Sequence, residues 1–301
     1  MTRFVVSHKT SYVYRSPVDV GFHLLRVTPL NKPGQRSLGQ RLSIVPEPAR
    51  LNSFIDHFGN VVHHVAVEQI HERLTVTLEA AVEVMRELPR EEGPTWETIR
   101  EAMRGDGFPE EPMVAEFAFP SPLAAPEERA TQFAAQSFTD GRPIVAGLRA
   151  LCERIHEEFA YVPNSTDIGT QVSEVMTTRR GVCQDFAHVM IAGLRGLGLP
   201  ARYASGYLHN RPAEEGARLG ADAGHAWVSA WCGEALGWIE LDPTNNLLVE
   251  NEHIVVAYGR DFSDVTPLRG VILGGGRHTL SVEVSVTDLD GTTLPLSPDQ
   301  R

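Results

Sequence analysis

The chain has few cysteines, an acidic excess and no long apolar run, and each shortage excludes something. Only Cys152, Cys183 and Cys232 occur in 301 residues. An odd, sparse set at that spacing fits neither a disulfide framework nor a zinc knuckle. Lys and Arg number 27 against 39 Asp and Glu, a formal net charge of -12. Phosphate backbones are bound by basic patches, so nucleic acid is not an expected partner. No apolar run approaches the roughly 20 residues of a membrane-spanning helix, so a membrane is not expected either. Thr2 to Ser7 alternate like a strand and lead into no signal-peptide core, and a cytoplasmic location is the expectation.

What is present is an ordinary globular composition, 42% hydrophobic and 22% charged, long enough for two domains. Up to about residue 86 the chain reads as β-structure. Phe4-Val5-Val6, Ser11 to Tyr14, Arg41 to Val45, Val61 to Val67 and Leu74 to Leu78 are strand-like runs separated by Pro and Gly clusters. That spacing predicts a small antiparallel sandwich. Residues 87–94 read as a linker, and a helical, acidic stretch follows from Trp96. Leu148, Leu151, Cys152 and Ile155 share one helix face, which makes Cys152 a core residue. The division is therefore residues 1–88 as a β-rich domain, 89–143 as linker and helices, and 144–301 as an α+β core with C-terminal strands.

Cys183 opens an amphipathic segment in which Phe186, Val189, Met190, Leu194 and Leu197 mark one helix face, stopped by Gly198-Leu199-Pro200. Thiolates are the reactive form of cysteine, and a helix N-terminus and a nearby imidazolium both favour them. His225 begins a strand and Asp242 ends the next. If Gly233-Glu234 makes a two-residue turn, His225 lies directly opposite Asp242, with Cβ atoms about 5 Å apart; a longer turn would shift this register. In that arrangement Cys183 attacks a carbonyl carbon, His225 moves the proton and Asp242 orients the imidazole. The N–H of Cys183 is a natural oxyanion donor.

Other residues are weighed alongside these. Asp185 is either a first-turn carboxylate favoured by the helix dipole or a support to the site. Trp227 shares a face with His225 and either walls the cleft or packs the core. Cys232 lies on the opposite strand face and reads as packing. His57, His63, His64 and His71 cluster in sequence, but His63 and His64 point to opposite faces of a strand, so no metal site is expected. The loop from His209 to Asp222, immediately before the histidine, reads as a connection or a lid.

Gly181-Val182-Cys183-Gln184-Asp185-Phe186-Ala187-His188, the stretch Leu199 to Tyr207, His225-Ala226-Trp227 and Asp242-Pro243-Thr244-Asn245 together resemble the bacterial transglutaminase-like family, within the papain-like thiol superfamily. Tyr12 to Val18 and Asp56-His57-Phe58-Gly59-Asn60 resemble the β-rich domain that precedes such cores, and Gly259-Arg260-Asp261-Phe262 resembles their C-terminal extension. The resemblance implies a core in which the thiol-bearing helix packs on an antiparallel sheet, with Cys183, His225 and Asp242 as the triad. Similar cores hydrolyse peptides or amides, cross-link glutamine to lysine, or have lost activity. The expectation is a cysteine-dependent peptidase or amidase on a peptide or amide substrate, with a transamidase or a non-catalytic peptide-binding module as alternatives. No cofactor is expected.

Overall fold

The computed structural model describes residues 2–89, 92–104, 113–209, 218–221 and 223–289. The first part of the chain holds strands β1 (Thr2–Leu25), β2 (Gln35–Val45), β3 (Arg50–Ile55), β4 (Val61–Val67) and β5 (His71–Val84). Helices α1 (Trp96–Ala102), α2 (Met113–Glu116), α3 (Glu128–Ala135) and α4 (Ile144–Glu158) follow. Next come β6 (Ala160–Tyr161), α5 (Val172–Thr178), β7 (Arg180–Gly181), α6 (Cys183–Gly196) and β8 (Ala201–Leu208). The remainder is β9 (His225–Trp231), β10 (Trp238–Asp242), β11 (Leu247–Leu248), β12 (His253–Gly259), α7 (Phe262–Val265), β13 (Leu268–Gly274) and β14 (His278–Asp288).

The expected N-terminal antiparallel β-domain is a seven-stranded sheet that curls around β1. Phe4, Val6, His8 and Thr10 of β1 are buried while Arg3, Ser7 and Lys9 face outward, the period-two pattern of a half-covered sheet. Segments that sequence separates into two strands form this one. Pro17 lacks an N–H for the ladder, and the pairing with β5 shifts between Val13 and Val18. On either side of that break β1 has different neighbours: Val6 pairs with Ala80 of β5 and Val286 of β14. Phe22 pairs with Ala66 of β4 and Val271 of β13. The C-terminal strands, grouped by sequence with the core, thus complete the N-terminal sheet.

The second sheet is antiparallel in the order β11-β10-β9-β8-β12. Ala226, Val228 and Ala230 of β9 join Val189 and Met190 of α6 in the main core. The opposite face carries Trp227, Val255 and Tyr258, which pack with Leu30 from the N-terminal half. Gln35 fastens that junction, donating to Leu30 O and Val255 O at 2.8 Å each and accepting from Val255 N. Arg195, buried in α6, donates to Phe117 O, Ser121 Oγ, Ala124 O, Ala201 O and Arg260 O, gathering the segments that frame the helix.

Candidate active site

Cys183 is the first residue of α6, so its N–H belongs to the orphan donors of a first helical turn. Asp185 folds back to accept from Val182 N at 2.8 Å and from Thr166 Oγ1 at 2.6 Å. This closure depends on Gly181, where a Cβ would lie 2.7 Å from the Asp185 carboxylate. Burial raises the proton affinity of Asp185 despite these two donors, and its Oδ1 is buried without a partner. Asp185 therefore braces the turn that carries the thiol.

The β9–β10 hairpin brings the other two residues in, through a different register from the two-residue-turn expectation. Trp231 pairs with Trp238 and Val228 with Leu241. Cys232 N donates to Gly237 O, closing a four-residue loop that opens on Gly233 and is followed by Gly237, both with positive φ. Asp242 consequently sits two residues along from His225 instead of directly across. A shift of two residues preserves the face, and the two side chains still meet, His225 Nε2 to Asp242 Oδ2 at 2.8 Å.

Both partners are fully buried. Burial pulls the His225 imidazolium down, but the Asp242 charge and hydrogen bond, with a contribution from Cys183, outweigh it and push the ring up to about 10. Burial likewise opposes the Asp242 carboxylate, and His225 and His253 overcome it, holding Asp242 far below the usual carboxylate range. With Nε2 committed to Asp242, Nδ1 is the atom left for Cys183. Among the described residues Nδ1 has no hydrogen-bond partner, and Cys183 adds to the raised proton affinity of the ring.

Cys152 and Cys232 are buried thiols whose ionisation burial opposes, Cys232 being pushed up to about 12. Cys152 instead donates to Asp242 O at 3.4 Å. Trp227 is wholly buried behind His225, ring centres 6.0 Å apart, and donates from Nε1 to Glu240 Oε2. His57, His63, His64 and His71 form no metal-ligating group among the described residues. Most of the His209–Asp222 segment, read from sequence as a connection or a lid, lies outside the described residues.

Three participants escaped the sequence reading. His253 opens β12 and its Nε2 reaches Asp242 Oδ2 at 3.1 Å. Asn245 donates from Nδ2 to the same oxygen at 2.8 Å, and also bonds Leu219 N and O. It thereby ties Leu219 to the Asp242 carboxylate. Gly220, with φ +82°, passes so close that a Cβ would lie 2.6 Å from His225 Nδ1 and 3.7 Å from the Tyr161 hydroxyl. Asn245 stands inside the Asp-Pro-Thr-Asn run and had a local signal in that motif; His253 had none. The His225, Asp242 and His253 donor atoms lie within 4.8 Å of one another, a spacing an ion could use. Here both imidazoles hydrogen-bond the carboxylate.

A helix-borne thiol beside a sheet-borne imidazole and carboxylate defines the papain-like class of fold. The chain belongs to the transglutaminase-like superfamily: residues 131–243 match that superfamily, and residues 4–83 match the bacterial transglutaminase-like N-terminal region. An uncharacterized protein of Mycobacterium tuberculosis (strain ATCC 25618 / H37Rv) is 40% identical over 97% of this chain and 95% of its own length. The protein-glutamine gamma-glutamyltransferase of Pseudomonas aeruginosa is 36% identical over 34% of this chain and 16% of its own length. The crystal structure of a candidate cysteine protease from Cytophaga hutchinsonii superposes with a TM-score of 0.75 at 23% identity, covering 99% of this chain and 94% of that one. Among the described residues no helix is long and apolar enough to cross a membrane.

Proposed function

We propose that the protein is a cysteine-dependent peptidase or amidase working through Cys183, His225 and Asp242. The observation that supports this best is the buried His225, bound through Nε2 to Asp242 at 2.8 Å with Nδ1 left for the thiol. The Cys183 thiolate adds to the carbonyl carbon of an amide, and the oxyanion meets the Cys183 N–H at the helix start. His225 delivers its Nδ1 proton to the leaving amine as the C–N bond breaks, leaving a thioester. His225 then takes a proton from water, whose oxygen attacks the thioester and releases acid and thiolate. Asp242 holds the ring and stabilises its charged form throughout. These side chains suffice for the chemistry without metal or cofactor. The cytoplasm, which keeps free thiols reduced, suits such an enzyme.

A second reading, transamidation, is favoured by the name of the Pseudomonas relative: an amine would replace water in the second step. Iodoacetamide near neutral pH tests the shared first step. Cys183 should be alkylated at least about tenfold faster than Cys152 or Cys232. Against peptide and amide libraries, Cys183→Ala and His225→Ala should abolish turnover while circular dichroism stays unchanged. Incorporation of an added primary amine into product would select transamidation. Uniformly slow labelling, with no library member consumed, would reduce the cleft to a peptide-binding surface.

A further inference from the structure

β13 and β14 run end to end along one side of β1 and, among the described residues, pair with no other strand. Residues 278–283 are all exposed, with Leu280 at 48% and Val282 at 39%. An unpaired edge of this kind offers its row of N–H and C=O groups to any strand that matches it.

The phase of that row follows from the bonds to β1. Arg15 N donates to Arg277 O at 3.0 Å, and Leu289 N donates to Arg3 O at 2.8 Å. In an antiparallel ladder alternate residues bond the same neighbour, so the odd-numbered residues from 277 to 289 serve β1. His278, Leu280 and Val282 therefore turn their peptide groups to the open side. Their side chains share the face of the buried Val286, while Arg277, Thr279, Ser281 and Glu283 share the other.

The charges on this edge are unevenly answered. Across the ladder from Arg277 stands Arg15, a like-charge pairing that is unfavourable. Among the described residues neither guanidinium has a carboxylate partner. Glu283 has Lys9 4.0 Å away, an exposed contact of little strength.

A second copy laid antiparallel, with a two-fold axis at Leu280, answers both needs. Leu280 then pairs with Leu280 and His278 with Val282, each an outward peptide against an outward peptide. On the other face Thr279 meets Ser281 and Arg277 meets Glu283, twice per dimer, because Arg277 and Glu283 flank Leu280 at equal distance. A slip of one residue would set an outward peptide against one already bonded to β1. The opposite border of the sheet has no such self-match: β2 breaks its register between Ser37 and Gly39, and its charged residues are Arg36 and Arg41.

We propose that the protein forms a two-fold dimer through this edge, residues 277–283 of two copies joining their sheets in one antiparallel ladder. The dimer does not depend on the thiol chemistry.

Sedimentation of the full chain between about 1 and 100 μM tests this, and a dimer with Kd below about 100 μM is expected. Arg277→Glu or Glu283→Arg alone should weaken it at least about tenfold, since like charges then face each other twice. The two changes together should restore affinity to within about threefold, which a merely misfolded edge would not do. Val282→Pro deletes an outward N–H and spares the bonds to β1, so it should yield monomer with circular dichroism unchanged. Deleting residues 290–301 should leave association intact. A monomer at 100 μM, a dimer indifferent to these substitutions, a double variant no better than the singles, or dimerisation only after the deletion would each overturn the proposal.

Discussion

His253 and His225 approach the same carboxylate oxygen: Asp242 Oδ2 lies 3.1 Å from Nε2 of the first and 2.8 Å from Nε2 of the second. Two buried rings on one oxygen cannot cheaply both be cations. The structure resolves the conflict by environment. Burial lowers His253, assisted by the charge of His225, whereas His225 is raised. A neutral His253 donates its Nε2 proton and leaves Nδ1 bare, in keeping with the unpartnered Nδ1. His253 is thus a positioning residue for Asp242. Replacement by Phe should lower kcat/KM roughly 10–100-fold, the cost of one hydrogen bond to a charged group. His253→Gln, which retains a donor, should recover part of it. Equal loss in both variants would assign His253 to packing alone.

The pH dependence of activity should expose the His225–Asp242 pair. The proposed mechanism needs a protonated His225 to give its Nδ1 proton to the leaving amine, and the ring is held up to about 10. Activity should therefore persist well above the ordinary imidazole range and decline only as pH approaches that value. Asp242→Asn removes the charge that opposes burial, so the alkaline limb should move to lower pH and kcat should drop roughly 10²–10⁴-fold. An unmoved limb would mean that another group controls it.

Gly220 gives a sharper separation of activity from stability. Alanine there places a Cβ 2.6 Å from His225 Nδ1, at φ +82°. The positive φ costs at least about 1 kcal/mol and the close approach adds to it, so the melting temperature should fall by several degrees. Turnover should fall far more, because the new methyl occupies the side of the ring left for the thiol. Kinetics and calorimetry on the same sample test this; proportional losses would count against it.

Acid should destabilise the fold through buried neutral histidines. His8 and His188 are lowered to about 4 by burial, and His23 to about 4 by burial and then by His71. Their folded values lie below the unfolded value of 6.5, so the unfolded chain binds more protons in between. Their contribution is fully present above 6.5 and is lost as pH falls through the window towards 4. Stability by urea titration should drop with a slope of about 1.4 kcal/mol per pH unit for each proton taken up. A flat profile between pH 6.5 and 4.5 would show that these rings are already hydrated in the native state.

The parts of this molecule that could be read from sequence are those whose chemistry is local. Cys183 announced itself by a helix pattern beginning at the thiol, and His225 and Asp242 by their places at the start and end of neighbouring strands. Face parity survived an error in the turn: the Gly233–Gly237 connection is longer than the Gly-Glu pair assumed, but it shifted the register by two residues, and the side-chain period in a strand is also two. Contacts made only by tertiary structure left no trace. His253 comes from a strand on the far edge of the sheet, and the approach of Gly220 to His225 depends on a loop held by Asn245. Trp227 was ambiguous in sequence because its packing with Leu30 and its bond to Glu240 are made only by tertiary structure. The pairing of β13 and β14 with β1 was hidden for the same reason, since hydrophobic alternation specifies that a strand has a buried face, never which partner covers it.

The double partnership of β1 also shapes how the chain reaches its native state. Val6 finds Ala80 early in synthesis but must wait for Val286 before its second edge is covered. Closing that sheet is among the most non-local events in the chain, and such pairings slow folding because the closure entropy precedes the reward. Until it happens, a long strand emerges from the ribosome with one row of peptide groups bare, open to pairing with a neighbouring nascent chain. The edge that ultimately unites the two halves is therefore the one most exposed to misassembly, and a chaperone that shields β1 should raise the soluble yield more than one acting on the thiol-bearing helix.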